Sequence, residues 1–318
     1  MGKYNDAMFG YLSQPDVFAD YWNGVFFEGE VVLKGEELED ADGNYYRIER
    51  PDKTARRSRD VIKKRKDHGS YIILGIEDQS EISYLMPLRQ MEYDAMEYSR
   101  QAKEIVKKNR DEEKRREAAG LPTLWKTRGE FLEGFRKEDS LVPVITTVFY
   151  HRSEKYDGCK DLHGMLKLDR KAERFRRLVP NYPLNLVTLQ DISEEKFQTG
   201  LRELIGVMKR SKDKNALYTY CQEHEDRFRE LDEETIRTMS VMINQENLLE
   251  YRQKEGGFDM CKAFEDMKQE GIEIGLSRGV LETCRELGTS REEAIRRVMQ
   301  KCGMERSEAE KLAEMYWK

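Results

Sequence analysis

Apolar positions recur at near-helical spacing from Tyr4 to Phe27. Phe9, Leu12, Val17, Phe18, Tyr21, Trp22 and Val25 predict a helix interrupted near Pro15. Val31-Val32-Leu33 and Tyr45 to Ile48 have the character of short strands. The turn-like stretch Asp40-Ala41-Asp42-Gly43-Asn44 lies between them. Further strands are expected around Asp60 and over 71–78, where an apolar run ends in Glu77, Asp78 and Gln79. Pro87 precedes a helix whose apolar stripe reads Met91, Ala95, Tyr98, Ala102 and Ile105. A charged insertion, 107–140, extends that helix and loops back. Val142 to Tyr150, rich in β-branched residues, predicts a strand, and Asn185 to Leu189 a shorter one.

From Ser193 onward the pattern is almost wholly helical. Gly271, Gly275 and Gly279 are spaced by four, but charged residues interleave them, so a weakly stable helix or hinge is expected. Two short helices close the chain. Ser290 with Glu293 and Ser307 with Glu310 have capping-box spacing, and Gly303 suits a C-cap between them. The acid near the start of the second helix favours a packing module over a helix-turn-helix reader of DNA. Three regions follow: a core over 1–190 carrying the insertion, a helical extension over 191–270, and a helical appendage over 271–318. Helix, strands, helix, strand is an order compatible with an α/β arrangement, a mixed sheet flanked by helices of the α+β kind.

Of 318 residues, 38% are hydrophobic and 37% charged, enough to bury a core beneath an unusually solvated surface. No apolar stretch has signal-peptide or membrane-spanning character, so a cytoplasmic protein without membrane contact is expected. Cys159, Cys221, Cys261, Cys284 and Cys302 are scattered and read as free thiols. His151, Cys159 and His163 lie close in sequence, but a strand end followed by a loop explains them as well as zinc does. The net charge of −6 argues against bulk attraction to nucleic acid, though not against a local patch. Such a patch surrounds Asp60: Arg57, Arg59, Lys63, Lys64, Arg65 and Lys66, besides Arg56. It is either a solvated charge run or a phosphate-attracting surface.

Alternation along a strand puts Glu77 and Gln79 on one face and Asp78 on the other. A carboxylate and an amide ending an apolar strand are costly unless they serve a purpose there. Asp60, about 17 residues upstream, is far enough away for a strand, a turn at His68-Gly69-Ser70 and a return. Asp60 and Glu77 could then converge on one divalent cation through hard oxygen ligands. Asp60 could equally be a surface ion-pair partner of the bases around it.

The blocks RDVIKK around Asp60, ILGIEDQSEISYLMPLRQMEYDAMEY from Ile73 to Tyr98, and EDSLVPVITTVFYH from Glu138 to His151 resemble the PD-(D/E)XK nuclease superfamily, specifically its Rpn-type, transposase-associated branch. DLHGML at Asp161 and DMCKAFEDM at Asp259 extend the resemblance, which spans roughly residues 1 to 275 in the family's order. The resemblance implies a restriction-endonuclease-like αβββαβ core and a metal-dependent DNA endonuclease associated with recombination or transposition. Asp60 and Glu77 would be the metal ligands, holding Mg2+ (or Mn2+ or Ca2+). Gln79 would complete the catalytic set where many relatives carry lysine, and Asp6 on the first helix is a candidate auxiliary residue. DNA is the implied partner, and a homodimer is one option. The competing reading is a catalytically weak or inactive DNA-binding scaffold on the same fold. Gln79 and the negative net charge favour that reading slightly.

Overall fold

A computed structural model describes residues 3–41, 44–50, 53–58, 61–65, 72–152, 154–253 and 257–317, with backbone alone at 44–50, 53–58, 72, 73 and 79. The chain divides into two compact units, Met1–Arg202 and Glu203–Lys318.

The first unit opens with α1, Lys3–Leu12, and α2, Pro15–Phe26. The break falls at Pro15, which takes the first turn of α2, where its missing N–H is no loss. Residues 31–33 are not a strand. Buried Asn23 holds them instead: its Nδ2 donates to the Leu33 carbonyl at 2.8 Å, and its Oδ1 accepts from the Val32 and Leu33 amides. With both backbone amides committed to a side chain, no ladder forms.

Five short strands come next in sequence: β1 Leu38–Asp40, β2 Asn44–Arg50, β3 Lys53–Ser58, β4 Val61–Arg65 and β5 Ile72–Gln79. Helix α3, Met86–Ala118, runs 33 residues through much of the charged insertion. After α4, Arg128–Glu133, the insertion is tied back by Asn109, which donates to the Gly134 carbonyl and to Asp139. Then follow β6 Val144–Tyr150, α5 Leu162–Met165 and β7 Asn185–Thr188. The main sheet has the order β1-β4-β5-β6-β7, and β2 and β3 form a separate hairpin. β5, β6 and β7 are parallel, whereas β1-β4 and β4-β5 are antiparallel. The expectation of a mixed sheet with helices is thus met.

The two faces of the sheet differ in chemistry. One, beneath α2, is mostly apolar: Tyr21 of α2 packs on Phe149 at 5.4 Å between ring centroids, with buried Ile76 and Val61 on the same face beside the buried polar residues Lys63, Asp78 and Thr147. The other lies under α3. There the expected apolar stripe is only half-buried, and Ala95 is exposed. The residues α3 buries instead are Gln90, Tyr93, Asp94, Glu97 and Gln101. A polar stripe can be buried because each member finds a partner. The Thr146 hydroxyl donates to Asp94 at 3.0 Å, Arg100 grips Glu97 with two nitrogens, and the Val142 amide donates to Gln101.

The second unit is helical. It comprises α6, Leu201–Arg210, which begins at the boundary, then α7 Lys214–Glu223, α8 Glu225–Arg229, α9 Glu233–Met242, α10 Met260–Glu286, α11 Arg291–Cys302 and α12 Arg306–Tyr316. Helix α10 runs unbroken through the three spaced glycines. Its first half packs Phe264 edge-on against Phe228 of α8. Its last turns join Leu281 and Cys284 to Ala294, Ile295, Val298, Ala309, Leu312 and Ala313 of α11 and α12. The Ser290 hydroxyl caps α11 as expected, and Gly303 takes the left-handed conformation at φ 66°. Ser307 does not cap α12. The cap position is Glu305, and Arg306 in the first turn pairs with Glu310 and Glu292 instead. All five cysteines are free, and burial pushes the Cys221 thiol far above its ordinary range. No helix of the described residues is long and apolar enough to cross a membrane.

Candidate active site

Glu77, Asp78 and Gln79 end β5 opposite Val148, Phe149 and Tyr150 of β6. Parallel partners share a face, so the pleat sends the first two acids into unlike surroundings. Glu77 is wholly buried on the α3 side, where Arg89 Nη2 lies 3.5 Å from its Oε2. Arg89 also donates to the Tyr93 hydroxyl at 3.4 Å. Two residue pairs back along the strands, Thr146 places its hydroxyl on Asp94, whose second oxygen accepts from the Tyr182 hydroxyl. The α3 face therefore carries the carboxylates Glu77, Asp94 and Glu97, all buried.

Asp78 is equally buried, on the α2 side. His151 Nε2 lies 3.2 Å from its Oδ1. Burial raises the Asp78 pKa above the ordinary 3.8, and the His151 contact offsets part of that rise. The buried charge also helps raise the Tyr21 hydroxyl, although burial of Tyr21 itself is the larger cause. Tyr21 shares a 3.2 Å hydrogen bond with Thr147.

Asp60, Arg59 and Lys66 lie outside the described residues, and Arg57 and Gln79 are described in backbone only. Asp60 directly precedes Val61, the residue paired with Ile76 next to Glu77. Asp6 is exposed. Its neighbour Asn5 is the α1 residue that meets the strand end, accepting from the Ser80 amide and donating to the Asp78 carbonyl.

The described part of the basic patch is not an open cationic surface. Lys63 is 2% exposed, with Nζ 2.6 Å from Asp40 and 5.8 Å from the Phe18 ring centroid. Edge strand β1 supplies the counter-charges, setting Asp40 opposite Lys63 and Glu39 opposite Lys64, and Glu37 lies 3.5 Å from Arg65. Cross-strand opposite charges satisfy one another in this register.

Arg89, Asp94 and Tyr182 escaped the sequence reading, and His151 was weighed only as a zinc ligand and not as the partner of Asp78. Gln90, Asp94, Glu97 and Gln101 follow the same four-three-four spacing as an apolar stripe, and that was the available signal. Among the described residues, no three His, Cys, Asp or Glu side chains converge as a metal-holding group. No family model, no curated protein and no solved structure matches the chain.

Proposed function

We propose that this chain is a metal-dependent DNA endonuclease with a restriction-endonuclease-like core. The observation that supports it best is Glu77: a wholly buried carboxylate at the carboxyl end of parallel strand β5. Open α/β sheets bind their ligands at such strand ends. A carboxylate desolvated there needs a cation, and hard oxygen donors suit magnesium or manganese. Glu77 with Asp60 would hold the ion, which when bound would neutralise phosphate charge and activate water. Gln79 would orient that water through its amide, and Arg89 would counter the Glu77 charge before loading.

The test is nicking of supercoiled plasmid by the purified protein in Mg2+ or Mn2+. Glu77→Gln and Asp60→Ala should each abolish it while the circular dichroism spectrum stays unchanged. Wild-type nicking by either variant defeats the proposal.

A scaffold reading draws on the ion pair between Arg89 and Glu77, which already supplies a cation from the protein itself. On that reading no divalent ion raises the melting temperature, and no nicking is seen in any metal.

A further inference from the structure

A second basic segment lies at 160–178, far along the chain from the patch compensated by β1. It carries Lys160, Lys167, Arg170, Lys171, Arg174, Arg176 and Arg177 against Asp161, Asp169 and Glu173. That is seven bases to three acids, a net of +4 in a chain of −6.

The segment is held as an arch. At its base Asp161 pairs with Pro183 across an isolated bridge, and Asn181 accepts from the His163 amide while donating to Asp161. The His163 ring sits 2.8 Å from the Val179 carbonyl, and the Tyr182 hydroxyl ties the returning chain to Asp94 on the α3 face. At the crown is a 3-10 helix, Ala172–Leu178, whose first amide, that of Ala172, donates to the Asp169 side chain and whose second, that of Glu173, donates to the Asp169 carbonyl.

With three residues per turn, side chains three apart eclipse, about 6 Å apart along the axis. Arg174 and Arg177 therefore stack in one row, and Phe175 and Leu178 in the next. Neither Arg174 nor Arg177 pairs with a carboxylate among the described residues, whereas Arg176 is occupied by Glu173. Phe175 is 62% exposed and Leu178 69%. Beside them is a shallow, open depression of about 650 Å3 lined by His163, Glu173, Arg174, Arg176 and Arg177.

We infer that this arch is a docking site for single-stranded DNA. Arg174 and Arg177 take successive phosphates, and Phe175 stacks on an unpaired base. An aromatic ring between cationic side chains is what sequence-tolerant strand binding uses. The choice of DNA as the strand rests on the nuclease reading; the charge and stacking arguments do not. An anionic bilayer could also attract arginine and phenylalanine, but its hold scales with the apolar area inserted, and this short helix offers Phe175 and Leu178 alone. This helix has only 7 residues.

The experiment is a fluorescence-anisotropy titration of the full chain with labelled oligo-deoxythymidine, in EDTA so that no cleavage intervenes, over a series of salt concentrations. Arg174→Gln/Arg177→Gln should reduce the slope of log affinity against log salt by about 1.4, two phosphates at ~0.7 each on a single strand. Phe175→Ala should weaken binding about fivefold or more with the slope unchanged. All three side chains are exposed, so folding is not at stake. An unchanged slope in the double variant overturns the inference, as does unchanged affinity in Phe175→Ala. Binding of the wild type to phosphatidylserine vesicles but not to the oligonucleotide overturns it too. Plasmid nicking is measured separately. Loss of strand binding with nicking intact rejects the arch alone, whereas strand binding without nicking rejects the nuclease and leaves the arch.

Discussion

Arg89 Nη2 stands 3.5 Å from Oε2 of Glu77, so the buried carboxylate at the end of β5 is faced by a cation that reaches it from α3. Arg89 is itself 31% exposed, and Glu77 is fully enclosed. Removing the arginine leaves a buried charge. Arg89→Ala should therefore lose on the order of 2 kcal/mol in urea unfolding, less than the ~3–5 of a fully buried pair. Glu77→Gln should be neutral or stabilising. On the nuclease proposal, Mn2+ neutralises the same charge, so Arg89→Ala should gain more melting temperature from Mn2+ than the wild type gains. Equal gains would remove Glu77 from metal binding.

The Asp78 pair makes stability depend on pH in a definite direction. Its folded pKa is raised by burial above 3.8, so its contribution is fully present below that value and is lost as pH rises through the folded pKa. His151 holds the rise in check. His151→Ala should therefore lose more stability than the wild type as pH rises above 3.8, and Asp78→Asn should flatten the dependence. Urea midpoints across a pH series decide it; a His151→Ala protein with the wild-type pH slope would break the link.

Asn23 satisfies backbone groups that no strand covers, through the Val32 and Leu33 amides and the Leu33 carbonyl. Asn23→Ala orphans the Leu33 amide and carbonyl, while the Val32 amide keeps the Glu30 carbonyl, at a cost of about 2–4 kcal/mol. Thermal unfolding measures the loss, and a change under about 0.5 kcal/mol would mean water replaces the side chain without penalty.

Lys63 is enclosed between Asp40 and Phe18, so it is unavailable to phosphate. Lys63→Met keeps the stem's packing and should leave DNA affinity and its salt slope at wild-type values. A slope reduced by about 0.9 on duplex DNA would show that Lys63 contacts phosphate after all.

The two clusters along α10 are separable. A chain ending at Gly275 keeps Phe264 on Phe228 but loses the cluster of Leu281, Cys284 and the last two helices. It should stay folded by circular dichroism. A chain ending at Asp259 removes Phe264 and should expose apolar surface to a hydrophobic dye.

Local order decided the elements. The Pro15 break, the β5 and β6 runs, the long charged helix and the Ser290 and Gly303 caps follow from spacing and from conformational preferences that act within a few residues. The end of β5 was legible because three polar groups stop an apolar run, and alternation alone separates Glu77 from Asp78. What those acids meet was decided only by the tertiary structure. Arg89 comes from the next helix, His151 from just past the end of the next strand, and Tyr21 reaches Thr147 across 126 positions. The basic run at β4 shows the same limit. Its residues look solvated in sequence, yet pairing with β1 sets Glu39 and Asp40 against Lys64 and Lys63. The buried polar stripe of α3 was misread for the same reason. Hydrophobicity identifies which face of a helix water disfavours, but a face whose polar residues find partners can be buried too, and partners are a property of the assembled sheet.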